Sequence, residues 1–387
     1  MFITDNKDLL LDDLLQRICI ELEITNIQRT EAERSYNAVS NWLAIDGTSL
    51  SDYNPTIYAQ GSLKLDTTVK PKAENEFDLD LVCELDRPVS LEKPIETLDL
   101  IEKRLKENET YKNMVERKKR CIRLNYAGQY HMDILPGYPN NKKAKGCLLV
   151  PDRKLDDWKD SAPKLYAEWF ENSCEYNALL EKKASIEPFP DYDLPQDKVP
   201  LKKIVQLMKR YRDMVYSENF EEAPISIVIT TLAGHAYSGE WNISDGIEAI
   251  LHKIKNKLPS NGRLIVLNPV NEDEDFSEKW NQDISLYHSF ITWVDNFINE
   301  WHTLKNLESI ELADKLKEMF GTNITQNAFL KQSNYIEKCR NNNKLAINNK
   351  TGMLTGIALS DSFKNEIPVA KNTFYGESLT IKKSSEF

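Results

Sequence analysis

The sequence predicts an α/β fold in two parts, a strand-bearing unit up to about residue 160 and a helical unit beyond it. Three observations lead there. Glu76 to Leu85 alternates strictly: Phe77, Leu79, Leu81, Cys83 and Leu85 share one face, while Asp78, Asp80, Val82 and Glu84 share the other. Shorter runs of strand character lie on either side of it, at Thr56–Gln60, Cys121–Tyr126 and Gln129–Leu135. Past residue 160 the apolar period changes from two to about 3.6 and stays there. With 387 residues the chain has room for two domains, expected at 1–160 and 161–387.

In chain order, Asp8–Leu22 carries Leu10, Leu11, Leu14, Leu15, Ile18, Cys19 and Leu22 at helical spacing, a stripe built to be buried. Thr25-x-x-Gln28 is a capping box opening a second helix through Tyr36, Val39 and Leu43, which Asp46-Gly47 breaks. Pro94 to Glu107 reads as a helix with proline in its first turn. Ala127-Gly128 reads as the turn of a hairpin between the strands on either side. Helices are then expected over Ser161–Cys174, Leu201–Tyr216, Ile225–Tyr237, Ile243–Leu258, Ser277–Leu304 and Ile310–Phe320. Ser185–Pro200 reads as a loop, Lys338–Lys350 as an exposed polar stretch, and Lys382–Phe387 as a mobile end.

Bulk properties remove several function classes. Hydrophobic content of 41% and charged content of 29% are those of a folded globular chain. No apolar run approaches the roughly 20 residues that span a bilayer, and Met1-Phe2-Ile3-Thr4-Asp5 lacks the marks of a signal peptide, so no membrane partner and a cytoplasmic location are expected. A net charge of −11 disfavours a long nucleic acid as partner, since such binding rests on displacing counterions with clustered positive charge. The six cysteines form no C-x-x-C and no zinc spacing, so buried thiols are expected.

The chemistry concentrates in Gly61-Ser62, Asp78-x-Asp80 and Asp133. Carboxylates two residues apart on a strand point to one face, and like charges that close need a neutralising cation. Hard oxygen donors select Mg2+, or Mn2+, over zinc. Asp133 alternates with Met132 and Ile134, so it points away from that apolar pair; if its strand adjoins the Asp78 strand, three carboxylates meet. That is the donor set of a two-metal phosphoryl-transfer site. Gly61-Ser62 ends a strand where backbone N–H groups and a hydroxyl can hold phosphate. A D-x-D alone is often solvated surface; the three features together are far more specific.

Gln60-Gly61-Ser62, Thr67-Thr68-Val69-Lys70-Pro71, Glu76-Phe77-Asp78-Leu79-Asp80-Leu81 and His131-Met132-Asp133-Ile134-Leu135-Pro136 together resemble the cGAS/DncV-like nucleotidyltransferases (CD-NTases). These belong to the polymerase-β-like superfamily that includes the oligoadenylate synthases. The likeness extends more loosely through Leu201–Asp213, Pro224-Ile225-Ser226-Ile227 and Leu267-Asn268-Pro269-Val270-Asn271. It implies a mixed β-sheet domain carrying the metal site, a C-terminal helical domain beside it, and the active site in the cleft between. It further implies Mg2+ on Asp78, Asp80 and Asp133, Asp133 also drawing the proton from the acceptor ribose, and the donor triphosphate on Ser62 with Gly61. Gln60 would lie against a nucleotide, and Lys209 and Ser226 would hold the same phosphates. The activity implied is condensation of ribonucleoside triphosphates (ATP, GTP or others) into a cyclic di- or trinucleotide that switches on an effector protein in anti-phage signalling.

Competing expectations are a linear 2′–5′ oligoadenylate-type synthase, a relative acting on RNA or protein, and a catalytically silent nucleotide-binding protein. Lys202, Lys203, Lys209, Arg210 and Arg212 read, from spacing alone, as a solvated basic face. Arg117-Lys118-Lys119-Arg120 reads as ordinary surface, Glu272–Asp275 as a solvated helix start, and His131 as a packing or positioning residue.

Overall fold

A computed structural model describes residues 6–72, 76–174, 197–307, 309–342, 345–348, 354–356 and 369–371. Helix α1 (Asn6–Leu22) is followed by α2 (Asn26–Leu43), whose start is the expected capping box: Gln28 N–H donates to Thr25 Oγ1 at 3.2 Å and Thr25 N–H to Gln28 Oε1 at 2.9 Å. Then come β1 (Thr56–Gln60), the single turn α3 (Gly61–Lys64), β2 (Phe77–Glu84) and α4 (Pro94–Lys106). Strands β3 (Val115–Arg117), β4 (Ile122–Tyr126), β5 (Tyr130–Pro139), β6 (Leu148–Asp152) and β7 (Asp157–Ser161) complete the first half.

These seven strands form one sheet in the order β1-β2-β5-β4-β3, with β6 on the far end of β5 and β7 beside β6. The β2–β5 pair is parallel and every other pair antiparallel, so the sheet is mixed as the resemblance implies. A parallel pair needs a crossover, and α4 lies in the connection between β2 and β5. The inward residues of β2 and β5, among them Leu79, Leu81, Cys83, Met132 and Ile134, pack with Tyr36, Val39 and Leu43 of α2 and Leu98 and Ile101 of α4. That covers one face; the other bears the aspartates, and further along it Val82 is buried with Tyr58, Leu148 and Val150.

The second half comprises α5 (Pro163–Cys174), α6 (Pro200–Val215), α7 (Ser226–Ala236), α8 (Ile243–Lys257), a hairpin of β8 (Leu267–Asn268) and β9 (Asn271–Asp275), α9 (Lys279–Gln282), α10 (Ile284–Asn306), α11 (Ser309–Phe320) and α12 (Thr322–Asn341). A small sheet of β10 (Leu345–Asn348), β11 (Leu354–Gly356) and β12 (Val369–Lys371) follows. The helical core is aromatic, with Tyr211 stacked on Phe297 at 4.0 Å between centroids and Trp293 and Trp301 beside Phe297. The stripe of α1 joins this core, whereas α2 joins the sheet core, so the first two helices tie the halves together.

Several expectations change. The helix expected over Ser277–Leu304 is two helices, because Asp283 is extended and its carboxylate accepts from Ser285 N–H, capping α10 anew. Glu272–Asp275 belongs to strand β9 rather than a helix start, and Glu274 accepts from Asn268 and Ser161. The stretch from Lys338 is not uniformly exposed: α12 runs to Asn341 with Cys339 buried in its last turn, and β10 follows. Arg117–Arg120 is surface, but well partnered, with Arg117 on Asp99 and Glu102 and Arg120 on Asp152 and Glu278. None of the six cysteines is in a disulfide. Lys382–Phe387 and most of the Ser185–Pro200 loop lie outside the described residues.

Candidate active site

Strand register builds the site. β1 sets Gln60 opposite Asp80, β2 sets Asp80 opposite Asp133, and β4 sets Arg123 opposite Asp133. Residues paired across neighbouring strands share a face, so Gln60, Asp80, Asp133 and Arg123 form one row across four strands. Asp78 and His131 pair one step further along β2 and β5 on the same face. The three aspartates singled out by spacing therefore do share one surface.

Among the described residues no group of three or more His, Cys, Asp or Glu side chains is arranged so as to hold a metal ion as it stands. The cation amid the carboxylates is Arg123. Its Nε and Nη2 donate to the two oxygens of Asp133 at 2.6 and 2.8 Å, and Nη2 also reaches Asp78 Oδ1 at 3.2 Å. His131 bonds Glu76 through Nε2 at 2.6 Å and lies 3.6 Å from Asp78 through Nδ1. The electrostatics of the row fit a hard divalent ion. Burial, with the charges of Asp78 and Asp133 added, pushes the Asp80 carboxyl up to about 7. Burial is the first cause and the two neighbouring carboxylates the next, so a cation bound among them would favour the ionised form.

Gly61 follows Gln60 at φ +64°, and a Cβ built there would lie 2.1 Å from Asp80 Oδ2. No side chain fits between this backbone and the carboxylate, so glycine is required twice over. Ser62 sits in the one-turn α3, its hydroxyl accepting from Thr68 Oγ1 at 3.3 Å and its carbonyl from Thr67 N–H at 2.9 Å. The loop after α3, the Ser62 loop, thus holds the serine through Thr67 and Thr68, and the same two residues bond to α6 of the helical half.

The basic face of α6 is not solvated: Lys202, Lys203, Lys209, Arg210 and Arg212 are all buried. Lys209 Nζ donates to Thr67 Oγ1 at 2.9 Å and to the Thr67 carbonyl at 3.2 Å, which links α6 to the Ser62 loop. Burial first, and Arg212 second, bring the Lys209 ammonium down to about 7, against the pull of Asp213 and Asp80. Ser226 opens α7, and its hydroxyl accepts from Arg212 Nη1 at 2.8 Å. Gly61, Ser62 and Lys209 are thereby joined by contacts at the sheet–helix junction, whereas Ser226 is bonded to Arg212, three residues along α6 from Lys209.

Arg123 and the Thr67–Thr68 bridge went unassigned in the sequence, although Arg123 carried a signal. It alternates with the inward Ile122 and Leu124, which places it on the outward face of β4; only the register of β4 on β5 sets it opposite Asp133. A further buried group supports the loop: Lys198 Nζ lies 2.5 Å from Glu23 Oε1 and 3.3 Å from Asp66 Oδ1, and Gln206 Nε2 donates to Glu23 and to the Thr68 carbonyl.

Residues 10–173 match the family model for the Second Messenger Oligonucleotide or Dinucleotide Synthetase domain. The chain is 34% identical over 384 residues to a c-di-GMP synthase of Roseivirga ehrenbergii, covering 97% of this chain and 100% of that one. It is 26% identical over 343 residues to the cyclic dinucleotide synthase CdnG of Bradyrhizobium diazoefficiens, covering 81% of each. The structure of B. diazoefficiens CdnG in complex with GTP superposes with a TM-score of 0.67 at 22% identity, over 82% of this chain and 97% of that one. Escherichia coli CdnC with ATP shares the fold at a TM-score of 0.59 and 11% identity, over 80% of this chain and 96% of that one. No described helix is long and apolar enough to cross a membrane. A mixed sheet with aspartates in register, a helical half beside it and a relative matched end to end lead to one conclusion: the chain belongs to the CD-NTase family of cyclic dinucleotide synthases, which are nucleotidyltransferases.

Proposed function

We propose that the chain joins two guanosine triphosphates into a cyclic dinucleotide, as the name of its 34%-identical Roseivirga relative describes for that protein. The observation that carries the site assignment is the row of Gln60, Asp80 and Asp133 with Gly61 closed against Asp80. Asp78, Asp80 and Asp133 would hold Mg2+ or Mn2+, which when bound supplies charge neutralisation at the α-phosphate and the departing pyrophosphate. Gly61 N–H and the Ser62 hydroxyl grip the donor phosphates, with Lys209 behind them and Ser226 steadying that wall through Arg212. Gln60 lies where a nucleotide would pass. The Asp133 carboxylate accepts the proton of the acceptor ribose hydroxyl as its oxygen bonds to the α-phosphorus and the bond to pyrophosphate breaks. A second such transfer closes the ring, so two triphosphates give one cyclic product and two pyrophosphates. Positioning and electrostatics carry most of the rate in such transfers.

We read residues 1–160 as the catalytic half and 161–387 as the nucleotide-binding half, a division supported by the two separate cores with α1 crossing into the second. The product would act on a separate effector protein in anti-phage defence, a reading that rests on family membership. The test is incubation with all four labelled ribonucleoside triphosphates and Mg2+ or Mn2+, then phosphatase and mass spectrometry. A phosphatase-resistant product at the mass of cyclic di-GMP, lost in Asp78→Asn/Asp80→Asn, supports the reading. A phosphatase-sensitive ladder would replace it with linear synthesis.

A further inference from the structure

Arg123 stands where a cation is needed. The guanidinium fork engages both oxygens of Asp133 and one of Asp78. Arg123 and Asp133 expose only 19% and 17% of their side chains, so this is a partly buried bidentate pair rather than a weak surface one. A divalent ion bound to the same oxygens at roughly 2.0–2.1 Å would sit within a few ångströms of the guanidinium, and the two positive charges would repel strongly in a partly buried cleft. Arg123 can leave without breaking the sheet, because its strand is held by backbone pairing and by inward Ile122 and Leu124. Across β3 the register sets Glu116 opposite Arg123, with Asn125 donating to Glu116 Oε2 at 3.4 Å, so a carboxylate outside the row stands ready beside the guanidinium once Asp78 and Asp133 are taken.

We propose that Arg123 is the resident counter-ion of the carboxylate row. It holds Asp133 and Asp78 in the metal-free enzyme, yields them to the divalent ion, and carries its charge to the phosphates that arrive with that ion. The inference rests on the metal-binding reading of Asp78, Asp80 and Asp133. Metal alone must displace the guanidinium toward Glu116 and solvent, whereas metal with a triphosphate offers it a more highly charged anionic partner. Metal and nucleotide therefore bind with positive coupling, and Arg123 is the residue that couples them.

Mn2+ binding to the full chain, followed through the free-ion electron paramagnetic resonance signal, tests this without catalysis. Wild type, Arg123→Gln, Arg123→Lys and Asp133→Asn are compared with and without a non-hydrolysable GTP analogue. Arg123→Gln is expected to bind Mn2+ alone about tenfold more tightly than wild type, and to lose most of the enhancement that the analogue gives wild type. Arg123→Lys keeps the charge and loses the fork, so it is expected to fall between the two. If Arg123→Lys binds Mn2+ as tightly as Arg123→Gln, the charge at this position does not matter and the counter-ion role is overturned. Unchanged or weaker binding in both variants also overturns it. If Asp133→Asn binds like wild type, the failure lies in the metal reading beneath, which the arginine variants alone could not reveal. Melting in chelator adds a second readout: Arg123→Gln is expected to melt lower than wild type, and an unchanged melting temperature speaks against the pairing.

Discussion

Gly61 meets Asp80 so closely that a Cβ at residue 61 would lie 2.1 Å from Oδ2 and 2.9 Å from the carboxyl carbon. Backbone at φ +64° adds its own demand for glycine. Gly61→Ala is expected to cost about 1–2 kcal/mol through the left-handed backbone and to displace the Asp80 carboxylate besides. A displacement near 1 Å at a reacting centre lowers the rate on the order of 100-fold. Pyrophosphate release and a thermal melt on the same sample check both parts; a variant that melts lower but turns over normally would refute the positioning argument.

Lys198 lies between two acids, with only 1% of its side chain exposed against 17% for Glu23 and 8% for Asp66. Removing one member of a buried charged group leaves the rest uncompensated. Lys198→Met is expected to destabilise the protein by about 3–5 kcal/mol in denaturant melts. Because Gln206 shares Glu23 and also holds the Thr68 carbonyl, the Ser62 loop should loosen as well. The kinetic sign is a KM for the triphosphate that rises more than kcat falls. Rescue by Lys198→Arg, which keeps the charge, is expected to be partial.

The sheet strands and the aspartates were legible because alternation over Glu76–Leu85 and around Asp133 fixes which side chains share a face. The row they form was not fully legible, for a reason of one residue. Reading Ala127-Gly128 as a two-residue turn pairs Tyr126 with Gln129 and turns Arg123 away from Asp133. The actual loop spans residues 127–129, with Gly128 at φ +74°, and pairs Tyr126 with Tyr130. A one-residue slip moves every side chain to the other face, and so hid the contact of Arg123 with Asp133. The α6 basic face failed differently. Helical spacing identifies an apolar stripe but says nothing of what covers the opposite side. There Thr67 takes Lys209, Glu171 takes Lys202 and the Phe320 carbonyl takes Arg210. These partners lie far away in sequence, and only the packed tertiary structure brings them together.

Core packing in the helical half makes a prediction free of the site. Phe297 is fully buried, stacked on Tyr211 and flanked by Trp293 and Trp301. Phe297→Ala is expected to cost about 3–5 kcal/mol, the range for aromatic truncation in a rigid core. Since α6 carries both Tyr211 and Lys209, the loss should also weaken nucleotide binding, which titration of a fluorescent GTP analogue would report. Equal affinity in a folded but destabilised variant would mean that α6 holds its place without this stack.

The buried Lys209 gives the stability a specific pH dependence. Its folded pKa, near 7, lies below the unfolded value of 10.5, so between those limits the unfolded chain binds more protons than the folded one. Stability contributed at this position therefore rises with pH across that window, by at most about 1.4 kcal/mol per pH unit, and is flat below it. Lys209→Met removes the titrating group, so the variant should be more stable than wild type at pH 7, with the difference shrinking as pH approaches 10. Urea melts of metal-free, nucleotide-free protein at several values from pH 6.5 to 9.5 measure it. A difference that grew with pH would reverse the assigned sign and mean that the ammonium is charged and well partnered through Thr67 and Asp80. Bound triphosphate should then abolish the slope in wild type alone, because the phosphates draw the proton back onto Lys209 and hold it there above pH 7.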